Sequence, residues 1–200
     1  VAASSKPTIA WIRDVGASGA YWIASSADTI VAHDLSTTGS IGVLASYLEF
    51  SGLLDDYNVS YNRQVAGYYK DMGSPLKEMT PSEERIYQDF LDDMHSVFIS
   101  NVADNRNMSV EAVTELADGR VYLGISAKEN GLVDVLGSKA EVIELVKEHV
   151  EGDVTLKHYR VKKSFFDMVP SISSNLGQSI GVGLGKQLTT TSSTTQTPTM

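Results

Sequence analysis

Two hundred residues, 42% hydrophobic and 20% charged, suffice for one domain with a sizeable core. A formal charge of −9 and a pI near 4.8 argue against nucleic acid as a partner, because phosphate backbones are held by basic patches. With no cysteine, a disulfide framework, a cysteine-based zinc site and a thiol nucleophile are all excluded, and no apolar run approaches the roughly eighteen residues of a membrane span.

The first element is an apolar, β-prone run, Thr8-Ile9-Ala10-Trp11-Ile12. It leads into the small residues Gly16-Ala17-Ser18-Gly19-Ala20, and a helix-compatible run, Tyr21 to Ala27, follows at once. Strand, tight turn and helix start place one side chain, Ser18, at a helix N-terminus, where free N–H groups favour a developing oxyanion. Small residues are common in turns, so this turn alone decides nothing. Next come a short strand, Asp28 to Ala32, and a Gly-punctuated stretch, Ser36 to Val43. A helix is predicted over Ala45 to Tyr57 and an alternating strand over Val59 to Val65. Ala66 to Pro75 reads as a loop by its glycines and proline.

The clearest helix starts at Thr80, where Thr80-Pro81-Ser82-Glu83 combines an N-cap, a proline at the first helical position and a capping-box glutamate. Ile86, Phe90, Met94, Val97, Phe98 and Val102 recur at three- and four-residue steps and predict one core-facing stripe to about Asn105. A shorter helix, Ser109 to Leu116, a helical turn at Ser126 to Asn130, a strand Leu132 to Leu136 and an amphipathic helix Ser138 to Val150 follow. Val154 to Val161 alternates as a strand, residues 164–188 are weakly helical, and the low-complexity end from Thr189 is expected to be disordered. Strands alternating with helices predict an α/β fold. Val1 stands directly ahead of a strand, so the chain is expected to be the C-terminal portion of a longer protein.

A serine hydroxyl needs a base to become a nucleophile. The four histidines, His33, His95, His149 and His158, have no unusual sequence setting and are expected to be structural or exposed. The other base is a lysine driven toward neutrality by desolvation. Lys70 fits best, because it follows Gly67-Tyr68-Tyr69, which offers mobile backbone and two rings. The plain alternative is a surface lysine paired with Asp71.

Ala17-Ser18-Gly19-Ala20-Tyr21, Thr38-Gly39-Ser40-Ile41-Gly42-Val43, Tyr69-Lys70-Asp71 and Ala117-Asp118-Gly119-Arg120-Val121 occur in this order. With Ala127 and Gly131-Leu132-Val133-Asp134, they resemble the signal peptide peptidase A family, serine–lysine proteases of the Clp-protease/crotonase fold, from about Lys6 to Val150. The resemblance implies repeated ββα units, with only the C-terminal portion of the domain in this chain. It makes residues 1–161 the protease core, without its N-terminal strands and Gly-Gly oxyanion loop. Residues 162–188 become a docking or helical segment and 189–200 a Thr/Ser-rich tail.

By the same resemblance Ser18 is the nucleophile, Lys70 the general base, Ser40 the group that orients the lysine amine, and the Gly19 N–H part of the oxyanion hole. One departure is Ala20, where the family often has a second glycine. Substrate would lie in a shallow groove lined by Tyr21, Ile41, Gly42 and Val43. The implied activity is an endopeptidase acting on cleaved signal peptides and other short or unfolded apolar peptides, with no metal or cofactor. In half-length members the serine and lysine come from neighbouring subunits of a ring, so a homo-oligomer is expected. A membrane anchor is expected upstream, with the protease domain on the extracytoplasmic face. Two alternatives stay open: a Clp-type Ser-His-Asp protease on the same fold, which needs a well-placed histidine, and a non-catalytic crotonase-like assembly module, which needs no desolvated lysine.

Overall fold

The computed structural model describes residues 1, 3–149 and 155–159. The chain divides into Val1–Val154 and Thr155–Met200. Of the second part, 155–159 are described and take no regular form, although they fall within the expected strand Val154–Val161. The expected segment 164–188, the tail from 189 and the boundaries at 161/162 and 188/189 lie outside the described residues.

In the first part the expected opening is present and finer than read from sequence. β1 (Ile9–Ile12) is followed by a second strand, β2 (Val15–Ala17), before Ser18 and helix α1 (Gly19–Ser25). β3 (Thr29–Ala32) and β4 (Thr37–Gly39) repeat the pair of strands. α2 (Ser51–Asp56), α3 (Pro81–Arg106), α4 (Val110–Leu116), β5 (Val121–Leu123), α5 (Gly124–Glu129), β6 (Val135–Leu136) and α6 (Lys139–Glu148) complete the order.

The strands form two three-stranded sheets. One has the order β1-β3-β6, all parallel, with Ile9 opposite Thr29 and Val31 opposite Val135. In the other, β2-β4-β5, Val15 lies opposite Thr37 in a parallel pair and Thr37 opposite Leu123 in an antiparallel one. The first two strand pairs each send their first member to one sheet and their second to the other, and the third pair, β5 and β6, divides in the reverse order. Parallel strands buried on both faces read as apolar runs, which is how Ile30, Val31 and Ala32 come to be sealed from solvent. Ile12, Ile30, Ile41, Phe98, Val102, Val113, Leu132 and Val133 close one hydrophobic core around them. Burial of a side chain the size of Phe98 stabilises by roughly 1.5–3 kcal/mol.

Three expectations are corrected. The helix read over Ala45 to Tyr57 shrinks to α2, because none of its residues is buried and short helices persist only where packing supports them. Val59 to Val65 forms no strand; its residues are exposed and no strand among the described residues pairs with it. The stripe on α3 is core-facing only at its C-terminal end. Phe98, Ile99, Val102 and Ala103 are buried, whereas Ile86, Phe90, Met94 and Val97 are 37%, 58%, 38% and 52% exposed. At 26 residues α3 is roughly 39 Å long, and it packs against α1 and α4.

Candidate active site

Ser18 sits between the end of β2 and the first residue of α1 with φ 56° and ψ −127°, a conformation that favours glycine. Its N–H donates to the Gly39 carbonyl at 2.7 Å, which carries the β2–β4 ladder one residue further and fixes the turn. Gly39 itself has φ +75°, and a Cβ there would meet Tyr122 Cδ2 at 2.6 Å. The first N–H groups of α1 have no partner inside the helix. The helix is pinned from below by Tyr21, whose hydroxyl donates to the Leu132 carbonyl at 2.9 Å. Burial pushes the Tyr21 phenol well above its ordinary value.

The loop that receives Tyr21 is itself fixed. Arg106 donates to both Asp134 oxygens, the longer contact being 3.0 Å, and to the Gly131 carbonyl at 3.1 Å, while the Ile30 N–H donates to Asp134 at 2.7 Å. Burial pushes the Asp134 carboxyl up, but the Arg106 guanidinium and the Ile30 N–H outweigh it and hold it below the ordinary aspartate range.

Ser18 opens onto a cavity of about 630 Å³. Ser18, Gly19 and Trp22 line it from the α1 side, Ser40 and Gly42 to Leu44 from the chain after β4, Met94, His95 and Phe98 from α3, and Ala117 to Gly119 from the loop before β5. Trp22 and Phe98 stack in parallel, with ring centroids 4.3 Å apart at 7°. The rim is tight where two loops meet: the Gly119 N–H donates to the Ile41 carbonyl at 3.2 Å, and a Cβ on Gly42 would come within 3.0 Å of Gly119 Cα. The Ser40 N–H donates to the Arg120 carbonyl at 2.8 Å. Asp118 is taken up by Arg120, whose side chain holds its carboxyl below the ordinary range.

Of the residues singled out in sequence, Ser18, Gly19, Ser40, Gly42 and Val43 thus share one cavity. Tyr21 and Ile41 do not line the groove. Both are fully buried, Tyr21 because its hydroxyl is spent on Leu132 and Ile41 because alternation along the chain turns it into the core. Lys70 lies elsewhere, exposed on a run of tight turns between Gly67 (φ +95°) and Gly73 (φ +78°). Asp71, its partner in the plain alternative, pairs instead with Arg63 at 2.6 Å and more loosely with Lys77 at 3.9 Å. Among the described residues the Lys70 amine has no hydrogen bond or ion pair, so the turn is fastened by its neighbours and the amine is left outward.

His33, His149 and His158 are exposed, as expected of them. His95 is different: it lines the Ser18 cavity, and its Nε2 is buried with no hydrogen-bond partner among the described residues. Sequence reasoning also missed Trp22 and Phe98, whose helical periodicity marks them only as apolar. Asp118 and Gly119 were part of a quoted motif but carried no role.

A serine on a strained strand-to-helix turn, beside free backbone N–H groups and an open, largely apolar cavity, is an arrangement suited to nucleophilic attack on a bound carbonyl. The chain belongs to peptidase family S49, whose family model matches residues 1–153. It is 38% identical over 185 residues to a protein of Enterococcus faecium whose name proposes a signal peptide peptidase, SppA, covering 92% of this chain and 52% of that one. It is 32% identical to the chloroplastic serine protease SPPA of Arabidopsis thaliana, over 93% of this chain and 28% of that one. Protease 4 of Haemophilus influenzae is 31% identical over 86% of this chain and 28% of its own length. No helix among the described residues is long and apolar enough to cross a membrane.

Proposed function

We propose that the protein is a serine endopeptidase in which Ser18 is the nucleophile and Lys70 of a neighbouring copy is the general base. Its substrates are cleaved signal peptides and other short or unfolded apolar peptides. The observation that carries this reading is the placement of Ser18: a non-glycine residue held at φ 56° at the mouth of a cavity whose walls are mostly apolar. Strain of this kind persists where the surrounding structure enforces it, and it gathers at functional sites.

In this reading Ser18 Oγ attacks the scissile carbonyl carbon while its proton passes to the neutral Lys70 amine. The oxyanion that forms is met by the Gly19 N–H at the start of α1 and by donors from the upstream part of the family's domain. Collapse of the intermediate releases the amine product, which takes the proton from Lys70. Water then enters by the same route and frees Ser18. Ser40, across the cavity from α1, would hold the lysine amine in line. The outward amine of Lys70, on a turn fastened by Arg63, Asp71 and Lys77, supports supply of the base in trans. The distribution of successive strands between two sheets supports the Clp-protease/crotonase-like ββα repetition, and an anchored, extracytoplasmic placement follows the family resemblance.

The test is cleavage of an apolar fluorogenic peptide by the intact protein, by Ser18→Ala, by Lys70→Ala and by an equimolar co-assembly of the two variants. Each single variant should lose at least about a hundredfold in kcat, as removal of a general base or nucleophile does. The mixture should recover a fraction of the native rate, because mixed assemblies contain sites with both groups intact. A mixture as inactive as its components would place both groups in one chain or show that mixed assemblies do not form.

A Ser-His reading is favoured by one observation, the presence of His95 in the cavity. A triad histidine, however, needs a partner that orients its ring, and no carboxylate is bonded to His95 among the described residues. Full activity in Lys70→Ala with loss in His95→Gln would establish that reading instead.

A further inference from the structure

We infer that Arg63 is a positioning residue for the general base: its guanidinium spans the Lys70 turn and fixes the direction in which the amine is offered to a neighbouring copy. The inference rests on the reading of Lys70 as a base supplied in trans.

The turn has little of its own to hold it. Gly67 (φ +95°) and Gly73 (φ +78°) bound it, and a Cβ on Gly67 would meet nothing within 4 Å. The backbone bonds inside it are local: Lys70 N–H to the Gly67 carbonyl at 3.1 Å, Met72 N–H to Tyr69 at 3.1 Å, and Ser74 N–H to Asp71 at 3.0 Å. A lysine amine stands at the end of a flexible four-carbon stem, so a turn that swings on its glycines disperses the amine further still.

Arg63 reaches the turn from the irregular segment that precedes it. Its Nε donates to one Asp71 oxygen at 2.6 Å and its Nη2 to the other at 2.9 Å, and Nη2 also donates to the Tyr68 carbonyl. One planar group therefore grips the chain on both sides of Lys70. The guanidinium carbon also lies 5.6 Å from the centre of the Tyr68 ring, which meets Tyr69 edge to face at 4.9 Å. Arg63 holds the Asp71 carboxyl below the ordinary aspartate range, so the carboxylate stays charged. A fork of this shape is available to arginine and not to lysine.

The grip is anchored beyond the turn as well. Lys77 stands 3.9 Å from Asp71 and donates to Glu83 at 2.6 Å, and Glu83, sealed from solvent, accepts the Thr80 N–H at 2.9 Å. Arg63, Asp71, Lys77 and Glu83 thus alternate in charge and end at the first turn of α3. A base held this way meets Ser18 in line, and its displacement by about 1 Å costs on the order of a hundredfold in rate.

The experiment follows cleavage of the apolar fluorogenic peptide by the intact protein in two settings. In homogeneous protein, Arg63→Met should lower kcat about tenfold or more and leave KM within about twofold, because a displaced base costs rate and not substrate binding. Arg63→Lys, which keeps the charge without the fork, should recover little of that loss. Adding Asp71→Asn to Arg63→Met should cost little further, since both changes break the same grip. The denaturant midpoint and the sedimentation coefficient should stay close to native, as for most exposed ion pairs.

In mixed assemblies, Arg63→Met is placed either on the Ser18→Ala chain, which supplies the lysine, or on the Lys70→Ala chain, which supplies the serine. The recovered rate should be about tenfold lower for the first placement than for the second, matching the homogeneous loss. An unchanged kcat in Arg63→Met, a loss that arrives as a raised KM or a dissociated assembly, or equal recovery from the two placements overturns the inference. Where mixed assemblies do not form, the homogeneous proteins decide it. Failure of the underlying reading shows separately, as full activity in Lys70→Ala with Arg63 intact.

Discussion

Ser18 carries a conformational cost that its neighbours sustain. At φ 56° and ψ −127° a Cβ crowds the backbone, and the Ser18–Gly39 hydrogen bond at 2.7 Å keeps the turn from relaxing. Glycine meets no such crowding, so Ser18→Gly should stabilise the protein by about 1 kcal/mol while abolishing activity. Ser18→Ala keeps the Cβ and should leave stability nearly unchanged. Denaturant midpoints of the three proteins check this, and equal midpoints for glycine and serine would show that the turn is unstrained. Tyr21 supports the same turn from inside. Tyr21→Phe removes the donor from the Leu132 carbonyl and leaves a buried acceptor unpaired, a loss of about 1–3 kcal/mol. The change should lower the denaturant midpoint without altering the slope, and an unchanged midpoint would show that water replaces the lost donor.

At the scale of elements, the start of α3 offers a pH-dependent contribution with a definite sign. Glu83 is 1% exposed; its side chain accepts from Lys77 at 2.6 Å and from the Thr80 N–H at 2.9 Å while Thr80 caps the helix in return. The Lys77 ammonium first, and the Thr80 N–H second, hold its carboxyl below the ordinary glutamate range. A folded value below the unfolded one means stability that is fully present above about pH 4.3 and lost as pH falls through the folded value. The stability difference between the native protein and Glu83→Gln should therefore be flat from neutrality to about pH 5 and shrink below it. A difference independent of pH down to the acid transition would show that Glu83 acts only by its shape. This box was legible from Thr80-Pro81-Ser82-Glu83 because capping is a local interaction written in four consecutive residues. The passage from β1 through the Ser18 turn to α1 was legible for a similar reason, since a strand, a tight turn and a helix start are all short-range; β2 was not, because Gly16 and Ala17 read as part of the turn and only pairing with β4 makes a strand of them. The half-exposed stripe of α3 was not, because periodicity says which residues share a face and not what covers it. His95 was invisible on the same ground: only the packing of α3 across α1 and the loop before β5 brings it to Ser18.

At the scale of the whole molecule, the proposed chemistry and the exposed apolar surface point to the same conclusion. Ile86, Phe90, Met94 and Val97 continue the stripe that buries Phe98 and Val102, yet they stand open, with Phe90 58% exposed. The chain before α3 adds Leu44, Leu48, Leu53 and Tyr68, each more than half exposed, and carries the outward Lys70. A row of exposed apolar side chains along one helix face is the kind of surface that marks an interaction site on a folded protein. If it is the contact through which one copy offers Lys70 to the Ser18 of another, assembly and activity are linked by mass action. A charge at its centre then tests both at once. Phe90→Asp removes an exposed ring, so the subunit should keep its secondary structure and unfold within about 1 kcal/mol of the native protein. Its sedimentation coefficient should fall to that of the monomer, and its peptidase rate should fall at least about tenfold at low concentration. Because the defect is in association, the rate per subunit should climb again as protein concentration is raised, which a damaged active site would not do. A Phe90→Asp protein that sediments as the native one does, at every concentration, would show that copies do not associate through this face of α3.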